Sequence, residues 1–253
     1  MTEAETGEGW ELRLGDCACP VSGLRSLGSV DHVITDPPYS PRVHSGVRSS
    51  NFDRSYENFS QAPCVTRRKV DLGFEHLCPD LRKLVAHEFG RLVRKWCLVF
   101  SDAESVHLWI ADLEDSGLSH EVVGVWRRLN GAPRFHGQSP APSWEAIEIA
   151  YRKRGWNGGG KQAYWEHPVV NNHGGRSRRL HTAQKPLGLM TDLVRAFTEP
   201  NDLICDPFAG SASTGVACVR EGRKFIGWER DPDIFAIAVQ RLRAAREQFR
   251  LAL

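Results

Sequence analysis

The sequence predicts an α/β fold built on a mainly parallel sheet, and three observations lead there. Short β-branched apolar runs alternate with stretches of helical periodicity, the pattern of a parallel sheet covered by helices on both faces. The chain is 253 residues long, enough to bury about three-quarters of its unfolded surface without staples. Hydrophobic residues make up 41% and charged residues 25%. That balance belongs to an ordinary globular chain and excludes a disordered or fibrous one.

Seven runs have the length and composition of strands: Trp10–Leu14, His32–Thr35, Trp96–Phe100, Glu121–Arg127, Ala146–Arg152, Leu203–Cys205 and Lys224–Trp228. Helices are expected over Pro79–Arg94, Ala103–Ser116, Pro186–Phe197, Ser213–Glu221 and Asp233–Phe249. In the first helix, Leu81, Leu84, Val85, Glu88 and Leu92 fall at helical spacing, and Pro79 suits the first turn. The Pro186 helix also begins at a proline and stops before the turn signal Glu199-Pro200-Asn201. Two polar stretches, Ser40–Asp71 and Gly155–His181, resist the alternation and predict long functional loops. No repeat or linker divides the chain. It is expected to be one domain over 1–253, with an insertion at 40–75 on the side of the Asp36 motif and a second, smaller one at 153–180.

No run approaches the roughly 20 apolar residues of a membrane span. The N-terminus MTEAETGEGWE is acidic and polar, unlike a secretory leader. Seven Cys lack the spacing of a disulfide framework, so reduced thiols and a cytoplasmic location are expected, nucleoid-associated in a prokaryote. Cys64, His76, Cys78 and His87 match no zinc-finger or ribbon spacing, and no metal is expected.

The net charge of +2 is unevenly spread. Between Pro41 and Lys69, Arg42, Arg48, Arg54, Arg67, Arg68 and Lys69 face only Asp53 and Glu57. Between Arg152 and His181, seven basic residues, among them Lys161, Arg176, Arg178 and Arg179, face Glu166 alone. The rest of the chain is net acidic. An acidic body carrying two basic insertions suits a polyanion gripped by those segments, although solvated loops share the same composition.

Two motifs carry chemistry. Asp206-Pro-Phe-Ala-Gly-Ser-Ala-Ser-Thr-Gly215 joins a strand to a helix through small residues, which lets backbone N–H groups approach a ligand at a helix N-terminus. The following strand runs into Glu229, placed to accept hydrogen bonds from ribose hydroxyls. The G-x-G-x-x-G pattern of nicotinamide cofactors is absent. Asp36-Pro37-Pro38-Tyr39 ends another strand. Its prolines make a rigid step without backbone donors, so the Asp36 carboxylate and Pro37 carbonyl can both accept from an –NH₂ group beside the Tyr39 ring. A strand-end Asp-Pro turn would look the same locally.

Together these blocks resemble the amino-methyltransferases that use S-adenosylmethionine to methylate adenine N6 or cytosine N4 in DNA. Asp36-Pro-Pro-Tyr39 is similar to their catalytic motif, and Asp206-Pro-Phe-Ala-Gly210 to their cofactor loop. His181-Thr-Ala-Gln-Lys-Pro186 and Leu12–Cys17 resemble two further blocks. The catalytic motif precedes the cofactor loop, as in the permuted beta class. The resemblance spans Trp10 to about Ala245. It implies a doubly wound, Rossmann-like sheet of seven strands with one antiparallel, and a catalytic set of Asp36, Pro37, Pro38 and Tyr39. It also implies that Asp206, Phe208, Ala209, Gly210, Ser211, Ala212 and Thr214 hold the methionine part and sugar of the cofactor. Glu229 would take the ribose, Asp16 and Cys17 the adenine, and Thr182 with Lys185 the carboxylate end, with Asp36 at the junction of cofactor and base. Lys185 stands where a helix begins, against the helix dipole, which itself calls for an anion nearby.

One departure concerns the loop, where the family pattern Phe-x-Gly-x-Gly has Ala212 in place of its second glycine. If that position needs a positive φ, alanine is strained there by about 1 kcal/mol or more. Another is the small recognition region, Lys153–Leu180, which predicts a short or relaxed target site. Its aromatics Trp156, Tyr164 and Trp165 either stack on DNA or pack the loop onto the domain. Adenine N6 is the preferred target, with cytosine N4 the alternative. An RNA or protein N-methyltransferase and a non-catalytic nucleic-acid-binding relative are the rival readings. A covalent Cys mechanism loses because no Pro-Cys stands beside the catalytic strand. The expected partner is DNA. A homodimer is compatible with the resemblance, and a restriction endonuclease partner is left open.

Overall fold

A strand covered on both faces needs apolar side chains at nearly every position, and His-Val-Ile-Thr and Trp-Cys-Leu-Val-Phe-Ser largely meet that demand. In the computed structural model, which describes residues 3–39, 77–131, 140–170 and 184–251, both runs are buried from end to end. Among the described residues nine strands form one sheet: β1 Ala4–Gly7, β2 Trp10–Leu14, β3 His32–Thr35, β4 Trp96–Ser101, β5 Ser119–Arg128, β6 Trp144–Tyr151, β7 Tyr164–His167, β8 Leu203–Asp206 and β9 Lys224–Glu229. Their spatial order is β1-β2-β9-β8-β3-β4-β6-β5-β7. All seven expected strands are present, and of these β6 alone runs against the rest.

The strand count is corrected from seven to nine. β1 is a polar, largely exposed edge strand paired antiparallel to β2. β7 interrupts what the sequence suggested was a structureless loop over Gly155–His181. It pairs with β5 and buries only Trp165, so four residues with one apolar anchor carry no readable period. The insertion at 40–75 and residues 171–180 of the second lie outside the described residues, as do Cys64 and His76.

The helices are α1 Pro79–Leu92, α2 Val106–Asp115, α3 Leu187–Phe197, α4 Ser213–Arg220 and α5 Pro232–Leu251. Sheet alternation sorts them into two layers. Leu98, Phe100, Ile147 and Ile149 pack with α3, α4 and α5, while Cys97, Val99 and Ala150 pack with α1 and α2. α2 starts three residues later than expected because Asp102 Oδ1 accepts the Glu104 and Ser105 N–H groups at 2.9 and 2.8 Å, closing a turn ahead of the helix. No helix among the described residues is long and apolar enough to cross a membrane.

The chain leaves β8 for β9 on one side and β3 for β4 on the other, so the winding reverses between β8 and β3. Doubly wound sheets bind ligands at the carboxyl ends of the strands flanking such a point. Here those ends deliver Asp206 and Asp36. Because β6 is antiparallel, its first residues arrive at this same edge, with Ala146 opposite Ser101 at the end of β4.

Candidate active site

Asp206 ties the two sides of the crevice together. Its Oδ1 accepts the Thr35 hydroxyl at 2.7 Å and the Phe208 N–H at 3.1 Å, and its Oδ2 accepts the Thr214 hydroxyl at 2.7 Å. Burial pushes the Asp206 carboxyl up to about 6, against the opposing pull of Thr214, Thr35 and the Phe208 N–H. Both of its oxygens are bonded within the chain, so its direct effect is to hold the loop after β8 against β3.

That loop turns through two left-handed residues, Gly210 at φ 52° and Ala212 at φ 56°. Ala212 sits immediately before α4 and is fully buried. Arg241 of α5 braces the turn, donating through Nη1 to the Ser211 carbonyl and, at 2.8 Å, to the Ser211 hydroxyl. Burial draws the Arg241 pKa down to about 10. The left-handed alanine costs about 1–2 kcal/mol. Glycine would relieve that, but it forfeits about 0.8 kcal/mol of buried methyl and about 0.4–1 kcal/mol through the freer unfolded chain. These terms nearly cancel. Ala212→Gly is therefore expected to leave stability within about 1 kcal/mol of the parent in thermal unfolding.

Glu229 ends β9 beside this turn. Its Oε1 accepts the Asp231 N–H at 2.8 Å, and its backbone carbonyl accepts the Gly15 N–H at 2.9 Å. Burial raises the Glu229 carboxyl, and the N–H groups of Asp231, Arg230 and Gly210 oppose the rise. The Gly15 bond seats Asp16 and Cys17 next to Glu229. Asp16 is exposed and accepts the Ala18 N–H at 2.8 Å, whereas Cys17 is buried. Asp16, Cys17, the Phe208–Ala212 loop and Glu229 thus gather at neighbouring strand ends. A carboxylate beside an open left-handed turn suits a ligand carrying a sugar diol.

The other half of the crevice is a buried charge cluster. Lys185 Nζ donates to Asp36 Oδ2 at 2.6 Å and to the Tyr39 hydroxyl at 3.1 Å, and lies 3.1 Å from Glu145 Oε2. The Tyr39 hydroxyl in turn donates to Glu145 Oε2 at 2.7 Å. Lys185 also lies over the rings of Tyr39, Phe100 and Trp126, at 5.1, 5.1 and 5.8 Å from their centroids. Asp36 Oδ1 is buried and has no partner among the described residues. Burial raises the Asp36 carboxyl and Glu145 adds to the rise, with Lys185 only partly offsetting it. Burial also acts to raise Glu145, but Lys185, the Tyr39 hydroxyl and Arg128 outweigh it and hold that carboxyl below its ordinary value. Burial works against the Lys185 charge, and the two carboxylates overcome it and raise its pKa.

The family resemblance implied Lys185 at the cofactor's carboxylate end, and the helix dipole separately called for an anion nearby. In the structure the anions at its ammonium are Asp36 and Glu145. Glu145 was missed altogether. Its only sequence signal is a carboxylate inside the apolar strand β6, and nothing local says which edge of the sheet that strand faces. Thr182 and the basic residues Arg42, Arg48, Arg54, Arg67, Arg68, Lys69, Arg176, Arg178 and Arg179 lie outside the described residues, while Lys161 is exposed. Trp156 and Trp165 pack onto Phe197, with centroids 4.8 and 6.3 Å away. Tyr164 is 45% exposed.

Comparison with known proteins gives consistent matches. Residues 144–240 match the sequence model of a family described as DNA methylase, the N6 and N4 methyltransferases. YubD of Escherichia coli (strain K12), named as a methylase, is 36% identical over 236 residues, covering 92% of this chain and 89% of YubD. The fold is similar to that of M1.HpyAVI solved with S-adenosylmethionine, with a TM-score of 0.66, 23% identity and coverage of 92% and 98% of the two chains. It is also similar to that of the cytosine-N4-specific PvuII DNA methyltransferase, with a TM-score of 0.68, 15% identity and coverage of 96% and 93%. The identity to YubD extends over nearly the whole of both chains and takes in the crevice between β8 and β3, so this protein belongs to the DNA methylase family of N6 and N4 amino-methyltransferases.

Proposed function

We propose that this chain transfers a methyl group from S-adenosylmethionine to the exocyclic amine of a base flipped out of DNA, with adenine N6 as the target. One observation carries the assignment beyond family membership. Among the described residues, Asp36 Oδ1 is a buried acceptor without a partner, close to Tyr39 and one strand away from the loop after β8. A buried carboxylate oxygen left unpaired is costly, and an N–H donor delivered by a substrate removes that cost. The amine of an extruded base is such a donor.

Flipping the base costs a few kcal/mol, and stacking on Tyr39 returns about 1–3 kcal/mol. Asp36 Oδ1 and the Pro37 carbonyl accept the two amine N–H bonds, drawing the nitrogen lone pair out of the ring. The residues present fit the cofactor: nothing crowds the left-handed turn at Gly210, so a ligand can approach its backbone, and Glu229 offers its carboxylate to the ribose. When bound, S-adenosylmethionine supplies a methyl group activated by a sulfonium. Alignment of two bound reactants can supply on the order of 7–11 kcal/mol. The methylated amine is acidic enough to release its proton to water.

Adenine is preferred because the Asp-Pro-Pro-Tyr form of the motif is found more often with adenine. Trp156 and Trp165 pack onto Phe197 and so are not free to stack on bases, which supports a short target site. Lys161 and the basic residues of the two insertions are assigned to phosphates. Plasmid DNA treated with methyl-labelled cofactor and digested to nucleosides should yield N6-methyladenine by mass spectrometry. N4-methylcytosine would reassign the base, and absence of label would overturn the activity. In calorimetry Glu229→Ala should raise the cofactor Kd about ten-fold or more, the equivalent of one charge-assisted hydrogen bond.

A further inference from the structure

We propose that Glu145 is the positioning residue of the base clamp, coupling the amine acceptor Asp36 to the stacking ring Tyr39. The inference rests on the amino-methyltransferase reading above and assigns a role to a side chain that reading does not use.

Glu145 Oε2 receives the Tyr39 hydroxyl at 2.7 Å and lies 3.1 Å from the Lys185 ammonium. Lys185 has three N–H donors, and three partners stand around it: Asp36 Oδ2, the Tyr39 hydroxyl and Glu145 Oε2. None is left over for a base or a cofactor. Its geometric effect is to capture one oxygen of Asp36, which leaves Oδ1 as the acceptor that faces a substrate. Lys185 can hold that pose only if it is anchored on its far side, and Glu145 is the anchor. The same oxygen fixes the Tyr39 hydroxyl, and through it the plane of the ring. One carboxylate therefore sets both surfaces that the base must meet.

The anchor is itself well held. Glu145 is the second residue of β6, its side chain is 15% exposed, and its other oxygen lies 3.5 Å from Arg128 of β5. Among the described residues, the charged or titratable groups facing Asp36 are Lys185, Glu145, Tyr39 and Asp206. Glu145 adds a negative charge beside Asp36, and Lys185 divides its attraction between the two carboxylates. Removing the Glu145 charge should leave Lys185 to Asp36 alone and make Asp36 easier to ionise.

The test uses the full chain carrying Glu145→Gln. Turnover on plasmid DNA should fall by about 10–100-fold, the scale of an ångström-sized misplacement, while the S-adenosylmethionine Kd stays within about threefold. The acid limb of the pH–rate profile should move to lower pH, because Asp36 must be ionised to accept the amine. A scaffold residue would not produce that shift. In a Tyr39→Phe background Glu145→Gln should cost less than in the parent, since part of what it breaks is already gone. Glu145→Asp keeps the charge but shortens the reach, so it should lower turnover without moving the acid limb.

The Asp36 carboxyl carbon, labelled with 13C and assigned by its loss in Asp36→Asn, reports the coupling without any turnover. Its midpoint should fall in Glu145→Gln. An unmoved or raised midpoint overturns the inference, as does parental turnover in Glu145→Gln or a loss confined to cofactor affinity. A parent chain that methylates no DNA sinks the functional reading instead, and the carbon titration still decides the role of Glu145. Should Glu145→Gln fail to fold, Glu145→Asp decides it: parental turnover there, or a displaced acid limb, counts against the inference.

Discussion

Asp36→Ala is expected to abolish methyl transfer while leaving the affinity for S-adenosylmethionine within a few-fold. The variant loses the carboxylate oxygen that has no partner among the described residues, and with it the group proposed to draw out the amine lone pair. Removal of one preorganised group of this kind costs on the order of 10²–10³ in turnover. The groups proposed to hold the cofactor, Glu229 and Phe208–Ala212, sit on β9 and after β8, and among the described residues none of their hydrogen bonds passes through Asp36. The fold should survive as well. Without Asp36, Lys185 keeps Glu145 as its counter-charge, so no buried ion is left alone. Single-turnover transfer combined with calorimetry checks both halves. Retained transfer would remove Asp36 from the chemistry, and a large loss of cofactor affinity would move it to the cofactor side.

Lys185→Met is expected to act on stability instead. Asp36, Glu145 and Lys185 are exposed by only 20%, 15% and 10% at their side chains, so solvent screens the cluster little. Taking away the cation leaves two carboxylates facing each other, and breaking a buried pair in this way costs about 3–5 kcal/mol. For a chain of this size that lowers Tm by on the order of 10 °C. The loss should depend on pH with a definite sign. With Lys185 gone, the Asp36 carboxyl, which burial and Glu145 already raise, should rise further, so it takes up a proton as the pH falls and the repulsion fades. The gap in Tm between parent and variant should therefore be widest near neutral pH and should narrow towards pH 5. A gap that widens in acid would mean that Lys185 does not offset these two charges.

The contrast between the two variants shows where the sequence stops being informative. Alternation of apolar runs and helical periods was enough to find β2, β3, β4, β5, β6, β8 and β9 and all five helices, because each buries a face whose period is written locally. β1 and β7 escaped because a polar edge strand and a four-residue strand with one buried tryptophan have no period to read. In the site, Asp36-Pro-Pro-Tyr39, the loop opened by Asp206, and Glu229 were legible as motifs, since each is a contiguous strand end with distinctive chemistry. The cation ahead of α3 likewise announced an anion through the helix dipole.

Which anion it would meet was decided by tertiary structure. β6 pairs antiparallel with β4 and so brings Glu145 to the edge where the parallel strands finish. That pairing is a long-range choice made by the whole sheet, and no local pattern encodes it. The conformation of Ala212 was decided in the same way. Its sequence posed only the condition that a positive φ would strain alanine. The packing of α4 on α5, with Arg241 bonded to Ser211, selected the left-handed turn, because the contacts around the loop outweigh about 1–2 kcal/mol of backbone strain at one residue. What the sequence determined by itself was the set of elements and the residue types at their ends. Which of those ends meet, and which charges offset one another there, followed from the strand order, because burial makes each carboxylate's energy depend on neighbours more than 100 residues away.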